Sequence, residues 1–369
     1  MNYKRSITTC ALAVLIAYMG SANSDAYNMH AKGAVHEGIT GLAEQCVAAL
    51  TDAQPKNCDS TALEDNSSWS LTAKYSDLQV GSRWSDDPTR FVLKSGFPNF
   101  AVAMTGGCQE RLAKIGNDRS RRPELGLLCN SHYGDMQFLH AMASPDETPS
   151  DSFERMMDWA RLSYRVAVGE IGPSVGYCDY LRKGNAGVIS EDLLAAGLPF
   201  CDDRKKKFLF IKTGAYPKWR MHTLFSMTCK NPFQSKRCTE AIGAKGVTMA
   251  VNGASGSLLH LVQDSYSQSH TVRDLDADIK EPIPKAICQP VRSFYEYVEQ
   301  TTSNFVHDTA DDVPEFVCEE NSRIHDPVTA SANVIWFIQQ GQNSEDKKDW
   351  ENNFVQYLTR HVFGETLDN

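Results

Sequence analysis

The cysteines of this chain constrain its fold more than any other feature of the sequence. Of the 11 cysteines, only Cys10 lies within the first 26 residues, which leaves ten in the rest of the chain. An even number of cysteines in an exported chain indicates a disulfide framework. None forms a Cys-x-x-Cys pair, so a zinc-thiolate knuckle is not expected. Other pairings are compatible with the sequence, but we expect neighbours to pair: Cys46–Cys58, Cys108–Cys129, Cys178–Cys201, Cys229–Cys238 and Cys288–Cys318.

The first 26 residues have the layout of a cleaved secretory signal peptide. A positive start at residues 4–5 is followed by an apolar run over residues 7–19, then by small and polar residues up to Ala26. The apolar run is too short to span a bilayer. We expect cleavage after Ala26, with cleavage after Ala22 as the competing choice. Tyr27 would then begin a secreted protein, extracellular or periplasmic.

The remaining 343 residues (369 − 26) are expected to fold as one domain, 27–369, without a transmembrane segment. The formal net charge of −9 argues against an electrostatic grip on duplex nucleic acid. We expect a monomer.

Apolar residues recur at helical spacing along most of the chain, while strand-like alternation is scarce, so we predict a mostly α-helical, disulfide-stapled fold. Residues 106–130 are expected to form a disulfide-closed loop. Residues 208–211 are compatible with a short strand or a buried helical turn. The predicted helices are Val35–Ala49, Met136–Met142, Ser150–Ile171, Gly253–His270, Ile287–Ala310, Asp326–Gly341 and Asp346–Phe363.

The stretch Leu258–His270 carries the clearest chemical signal. His260 and Asp264 are four residues apart, which places both side chains on one face of a helix, and His270 follows near its expected end. Two imidazoles and a carboxylate so close together suit zinc, which takes nitrogen and oxygen donors. A helix ion pair is the alternative interpretation of His260 and Asp264. Gly253 and Gly256, earlier on the same helix, leave room for another backbone to approach closely.

Further candidate ligands lie elsewhere in the chain. His307 and Asp311 repeat the spacing of His260 and Asp264, and His36 opens the first predicted helix. Asp86 lies on a turn that Pro88 favours.

Two of these assignments have rivals nearby in the sequence. His132 competes with His140, and Asp86 competes with Asp87. His132 or His140 alone is also compatible with a buried helix histidine that binds no metal.

The order of these motifs resembles that of the bacterial zinc-dependent phospholipases C and of their relatives, the fungal zinc nucleases that cleave single strands. The resemblance spans residues 27–311, although the intervals from Asp86 to His132 and from His270 to His307 are longer than is typical of the family. The motifs that carry it are His260-x3-Asp264-x5-His270, His307-x3-Asp311, His36-Glu37-Gly38-Ile39, Trp84-Ser85-Asp86 and His132-Tyr133-Gly134-Asp135.

The resemblance implies an all-α fold with three zinc ions. Asp86 is implied as a possible general base as well as a ligand, and Asp135 and Gln263 are candidates to orient ligands. The implied ligand sets are Asp86, His132, His260 and Asp264 for one ion, His270, His307 and Asp311 for a second, and His36, Asp264 and the amine and carbonyl of Tyr27 for a third.

The expected activity is hydrolysis of a phosphodiester by metal-activated water. The resemblance favours a phospholipase C that cuts phosphatidylcholine-type lipids, at a membrane or micelle surface, into diacylglycerol and a phosphorylated head group. The alternatives are a zinc nuclease for single strands and a secreted, disulfide-stabilised binding protein without catalysis.

Overall fold

The structure is a computed structural model that describes residues 29–30, 33–50, 53–60, 74–88, 90, 107–116, 121, 125–196, 201, 219–229, 238–241, 243–267, 269–273, 286–297, 318 and 322–364. The expected signal peptide, residues 208–211, Tyr27, His307 and Asp311 lie outside these residues.

The described part of the chain is mostly helical, as predicted, with three two-stranded antiparallel sheets. The strands are β1 (Met29–His30) with β2 (Gly33–Ala34), β3 (Met227–Cys229) with β4 (Cys238–Glu240), and β5 (Thr271–Val272) with β6 (Ser293–Phe294). The α-helices are α1 (Val35–Ala49), α2 (Asp77–Ser82), α3 (Gln109–Ile115), α4 (Gly126–Tyr133), α5 (Pro149–Ala167), α6 (Tyr177–Arg182), α7 (Ser190–Ala196), α8 (Met221–Ser226), α9 (Gly243–Asp264), α10 (Pro327–Asn343) and α11 (Lys347–Tyr357). A 3-10 helix spans Gln137–His140, and a π-helical turn, Leu358–Phe363, continues α11.

Local sequence signals set where several of these helices begin. Ser76 and Gln79 form a capping box at the start of α2. Thr148 and Asp151 do the same for α5, whose first residue is proline. Asp326 caps α10 by accepting hydrogen bonds from two backbone N–H groups.

Helix α9 is the centre of the molecule. Every residue from Gly253 to Asp264 is buried, and the helix packs against α1, α2, α5, α8 and α10. Helix α5 lies against it through Trp159, whose indole Nε1 donates to Ser257 Oγ at 2.9 Å. Because α9 is enclosed on several sides, polar side chains near its C-terminal end are held inside the protein.

Glycines allow α2 to approach α9 more closely than other residues would. A Cβ on Gly256 would lie 2.0 Å from the carbonyl carbon of Gly81, and one on Gly81 would lie 2.2 Å from the carbonyl oxygen of Asn252. The predicted close approach at Gly256 is therefore confirmed. The turn that follows α2, with Asp86, is thereby brought to His260 on α9.

Four of the five predicted disulfides are present: Cys46–Cys58, Cys108–Cys129, Cys178–Cys201 and Cys288–Cys318. For the fifth pair, the structure describes the backbone, in which Cys229 and Cys238 are partners in the β3–β4 ladder. The bonds fit an oxidising compartment. Among the described residues, no helix is both long and apolar enough to cross a bilayer.

Three predicted elements differ from the structure within the described residues. The expected loop at residues 106–130 contains α3 and the start of α4. The expected helix from Ile287 is replaced, up to residue 296, by a 3-10 turn (Ala286–Cys288) and strand β6, because Pro290 has no N–H to donate and disfavours a helical residue before it.

The helix predicted to reach His270 ends at Asp264. The carbonyl of Ser265 accepts hydrogen bonds from Arg273 Nε at 3.0 Å and from Thr271 Oγ1 at 2.8 Å, so it is satisfied outside the helix. The chain therefore turns, and His270 precedes β5 instead of lying on α9.

Candidate metal centre

His260 and Asp264 lie together on one face of α9, one turn apart, as their spacing predicts. His260 Nε2 is 2.9 Å from Asp264 Oδ2, and both side chains are fully buried. His260 Nδ1 is 2.8 Å from the carbonyl oxygen of Ser82, at the end of α2. Because a carbonyl only accepts, the neutral imidazole donates from Nδ1 and keeps a lone pair on Nε2, towards the carboxylate.

His36, near the start of α1, completes a first group with His260 and Asp264. Its ring stacks on that of His260 at a centroid distance of 4.0 Å, and its Nε2 lies 3.4 Å from Asp264 Oδ1. The three ligand atoms of this group lie within 4.8 Å of one another. His36 Nδ1 is 2.7 Å from Oε1 of Gln263, which also orients this ring.

The amide of Gln263 is itself fixed by two hydroxyls. Its Nε2 lies 3.0 Å from Oγ1 of Thr40 on α1 and 3.3 Å from Oγ of Ser331 on α10. Since Nε2 is the donor, Oε1 faces His36, whose Nδ1 must donate. Metal-binding histidines are commonly oriented by such a second hydrogen bond, so the predicted orienting role of Gln263 fits the contacts.

A second group consists of Asp86, His140 and His260, whose ligand atoms also lie within 4.8 Å of one another. His140 Nδ1 is 3.0 Å from His260 Nε2, 3.1 Å from Asp264 Oδ2 and 3.9 Å from Asp86 Oδ1. His260 Nε2 is 3.6 Å from Asp86 Oδ1. His260 belongs to both groups, and Asp264 contacts both.

The structure favours His140 over His132 for this second group. The ring of His132 lies beside that of His140, at a centroid distance of 4.6 Å, but it joins neither group of the described residues. Its Nδ1 lies 3.0 Å from the carbonyl oxygen of Leu128. His132 lies in the last turn of α4, whereas His140 is the last residue of the 3-10 helix that follows.

The structure also separates Asp86 from Asp87. Both lie on the turn after α2, as predicted, and both are buried. Asp86 faces the histidines, while Asp87 interacts electrostatically with Arg90. Asp135 contacts other residues through its backbone: its N–H donates to Asn130 and its carbonyl accepts from Arg155.

His270 is buried next to these groups without belonging to either. Its Nδ1 lies 2.5 Å from the carbonyl oxygen of His140 and 3.5 Å from Asp264 Oδ2. The backbone N–H of Tyr295, after β6, donates to the carbonyl of His270 at 2.9 Å. The predicted partners of His270, which are His307 and Asp311, lie outside the described residues, as does Tyr27.

The histidines of the cluster are held in their neutral form. Burial is the largest cause: it lowers the pKa of His260 to about 3 and that of His132 to about 4. Burial also lowers the pKa of His36 and His140 well below the ordinary value, and the neighbouring imidazoles act in the same direction. Neutral imidazole is the form that binds metals.

Among the described residues next to the two groups, carboxylates outnumber the guanidinium of Arg83. Arg83 forms a buried ion pair with Glu37, and Asp86 and Asp264 are buried nearby. Burial lowers the pKa of Arg83 to about 10, against the opposing effect of Asp86. When ionised, three carboxylates and one guanidinium leave two negative charges among neutral imidazoles. Buried charge requires compensation, and a divalent cation fits both this charge and the nitrogen and oxygen donors.

Sequence reasoning missed Arg83, Glu37 and Ser82. Glu37 follows His36 directly and Arg83 precedes Trp84, but neither has a spacing that identifies a partner across two helices. The contribution of Ser82 comes from its carbonyl, which no sequence pattern encodes.

Comparison with known protein families, with curated proteins and with solved structures finds no match to this chain.

Proposed function

We propose that this protein is a secreted zinc-dependent phosphodiesterase, a phospholipase C that acts on phosphatidylcholine-type phospholipids. The observation that carries the proposal is the convergence of His36, His140 and His260 with Asp86 and Asp264 in one buried cluster. The mixture of imidazole and carboxylate suits zinc better than magnesium or calcium, which prefer oxygen donors alone.

Two sets of residues would hold the metal ions. His36 and Asp264 would hold one ion, and Asp86 and His140 would hold another. His260 lies within reach of both but would be a ligand of only one, because Nε2 is its single free ring nitrogen. Zinc supplies Lewis acidity, which lowers the pKa of a coordinated water and polarises a phosphoryl oxygen.

Asp86 is the proposed general base, and its carboxylate would accept the proton of the attacking water at Oδ2. Its other oxygen, Oδ1, faces His260 and His140 and would remain a ligand. Gln263 and the carbonyl of Ser82 would keep the rings of His36 and His260 from turning, so that Nε2 of each stays directed into the site.

The phospholipid substrate is proposed from the resemblance described above, which includes the histidine motifs and the dense cysteines. A nuclease would use the same ions, so substrate assays must decide between the two. The non-catalytic alternative predicts bound metal without turnover.

The test measures zinc content and hydrolysis of phosphatidylcholine vesicles and of single-stranded DNA. It uses the purified protein and its His140→Ala and His132→Ala variants. Gln342→Ala, a change at an exposed position, is the control for effects of expression and purification. We expect zinc in the protein, vesicle hydrolysis that chelation abolishes, and loss of zinc and of at least a hundredfold in activity in His140→Ala. His132→Ala should keep its zinc.

Several outcomes would contradict the proposal. If the protein cleaves single-stranded DNA but leaves the vesicles intact, a nuclease activity would replace phospholipase C as the proposed function. Zinc without either activity would favour the binding protein. A His132→Ala variant that loses zinc, beside a His140→Ala variant that keeps it, would reverse the ligand assignment.

A further inference from the structure

A cavity lies near the C-terminal end of the described chain, and it shares no residue with the metal cluster. It has a volume of about 350 Å³, within the range of small-molecule sites. Its walls come from the C-terminal half of α10, from α11 and from the π-helical turn, with Gln54 at one side.

Aromatic side chains form one corner of this cavity. The rings of Trp336 and Trp350, both partly exposed, meet edge to face at a centroid distance of 5.4 Å and an angle of 75°. The ring of Phe337 packs against that of Trp350 at a centroid distance of 6.0 Å. Two tryptophans that remain partly exposed in a concave site offer apolar faces to a ligand.

Polar side chains line the rest of the cavity. Asn353 and Gln356 are exposed and present amides, each of which both donates and accepts, and the exposed Arg360 adds donors. His361 Nδ1 lies 2.9 Å from the carbonyl oxygen of Arg323 and must donate to it, so its neutral ring keeps Nε2 as an acceptor. The rim therefore matches groups that both donate and accept, as hydroxyls do.

The lining also argues against other ligand classes. None of the described residues that line the cavity is Asp or Glu, and the cationic guanidinium of Arg360 would repel a choline or other ammonium group. The two tryptophan rings are close to perpendicular, so they do not form a slot for a flat base. A saturated ring with an apolar C–H face and hydroxyls at its edge fits both the corner and the rim.

We propose that this cavity binds a pyranose ring of an oligosaccharide. The C–H face of the sugar lies on Trp336 or Trp350, and its hydroxyls bond to Asn353, Gln356 and Arg360. The site is independent of the metal centre, and it would hold the protein on a surface that carries glycans.

The test is isothermal titration calorimetry of the full-length purified protein with cellohexaose, chitohexaose, maltohexaose and xylohexaose in turn. We expect at least one to bind with a dissociation constant of about 1 mM or tighter, which is about −4 kcal/mol. Trp336→Ala and Trp350→Ala should each weaken binding at least tenfold. Gln356→Ala, which removes only an exposed amide, should weaken it severalfold without affecting the fold.

The control is Gln342→Ala, an exposed change on α10 that is absent from the cavity lining; it should bind as the wild type does. Zinc content and phosphatidylcholine hydrolysis should stay unchanged in all the cavity variants. Failure of the sugar-binding proposal can therefore be told apart from failure of the proposed phospholipase activity. Absence of binding to all four sugars would overturn the proposal. So would unchanged sugar binding in the folded tryptophan and Gln356 variants, or tryptophan-dependent binding of phosphocholine or hexathymidylate in place of sugar.

Discussion

Three of the candidate metal-binding imidazoles, those of His36, His260 and His270, each have a hydrogen-bond partner that fixes the direction of the ring. Gln263 orients His36, the carbonyl of Ser82 orients His260, and the carbonyl of His140 orients His270. His140 therefore contributes its ring to one group and its backbone to the placement of His270, another candidate ligand. Displacing this one residue would disturb two parts of the centre.

The role of Gln263 can be tested by Gln263→Leu, which preserves much of the volume. The change removes the acceptor for His36 Nδ1, so that the ring no longer keeps its Nε2 directed at Asp264. Loss of such a partner typically weakens metal affinity by about 10–100-fold. Competition with a chromogenic chelator measures the affinity, and Gln342→Ala serves as the matched glutamine control. Equal zinc affinity in both variants would show that the amide does not orient the ligand.

For single residues, the sequence predicts which side chains share one face of a helix better than it predicts where each side chain points. The four-residue interval of His260 and Asp264 is enough to place both on one face of a helix, and the structure confirms it. The choice between His132 and His140 depends on where α4 stops. Gly134 follows its last residue, and a Cβ there would overlap the side chain of Asn130, a contact that no periodicity pattern reveals.

Among the elements, the contact of α2 with α9 determines whether the centre can assemble. This contact positions the carbonyl of Ser82 and the turn with Asp86 relative to His260. It requires backbone contact between Gly81 and Gly256, because any Cβ at Gly256 would lie 2.0 Å from Gly81.

Gly256→Ala should therefore damage both stability and activity. The added methyl group would push α2 away from α9, and overpacking of this kind typically costs about 1–3 kcal/mol. Movement of Ser82 and Asp86 should also lower zinc content. Urea unfolding and metal analysis measure the two effects. Gly172→Ala is the matched control, because a Cβ there meets nothing within 4 Å and the residue does not have a positive φ. Equal stability of the two variants would contradict the close approach.

Long amphipathic helices are the elements that the sequence predicts well. The first helix is confirmed from Val35 to Ala49, and the predicted 150–171 helix corresponds to α5. The predicted helix from Ile287 is absent up to residue 296, because Pro290 disfavours a helix there and the apolar residues also suit a short strand. Strand β6 pairs with β5 just after His270, and such a long-range pairing is not encoded in local periodicity.

Across the whole molecule, disulfides and helix packing surround a centre that is rich in buried acids. Burying Asp264 among neutral imidazoles is unfavourable unless a cation compensates its charge. The protein is thus expected to gain stability from the same ions that the proposed reaction requires. Binding of an ion stabilises a fold by about 4 kcal/mol when its free concentration is a thousandfold above the dissociation constant.

Thermal unfolding of the wild type and of Asp264→Asn, each with and without a chelator at pH 8, tests this coupling. Chelation should lower the Tm of the wild type by several degrees, because the stabilising ions leave and the buried carboxylate loses its counter-charge. Asp264→Asn removes a ligand and the charge together, so its Tm should change little on chelation. The chelated variant should also melt at or above the temperature of the chelated wild type, since a neutral amide costs less to bury than a charged carboxylate. A wild type whose Tm does not respond to chelation would mean that Asp264 is compensated within the protein, as a helix ion pair with His260, and that the cluster holds no stabilising metal.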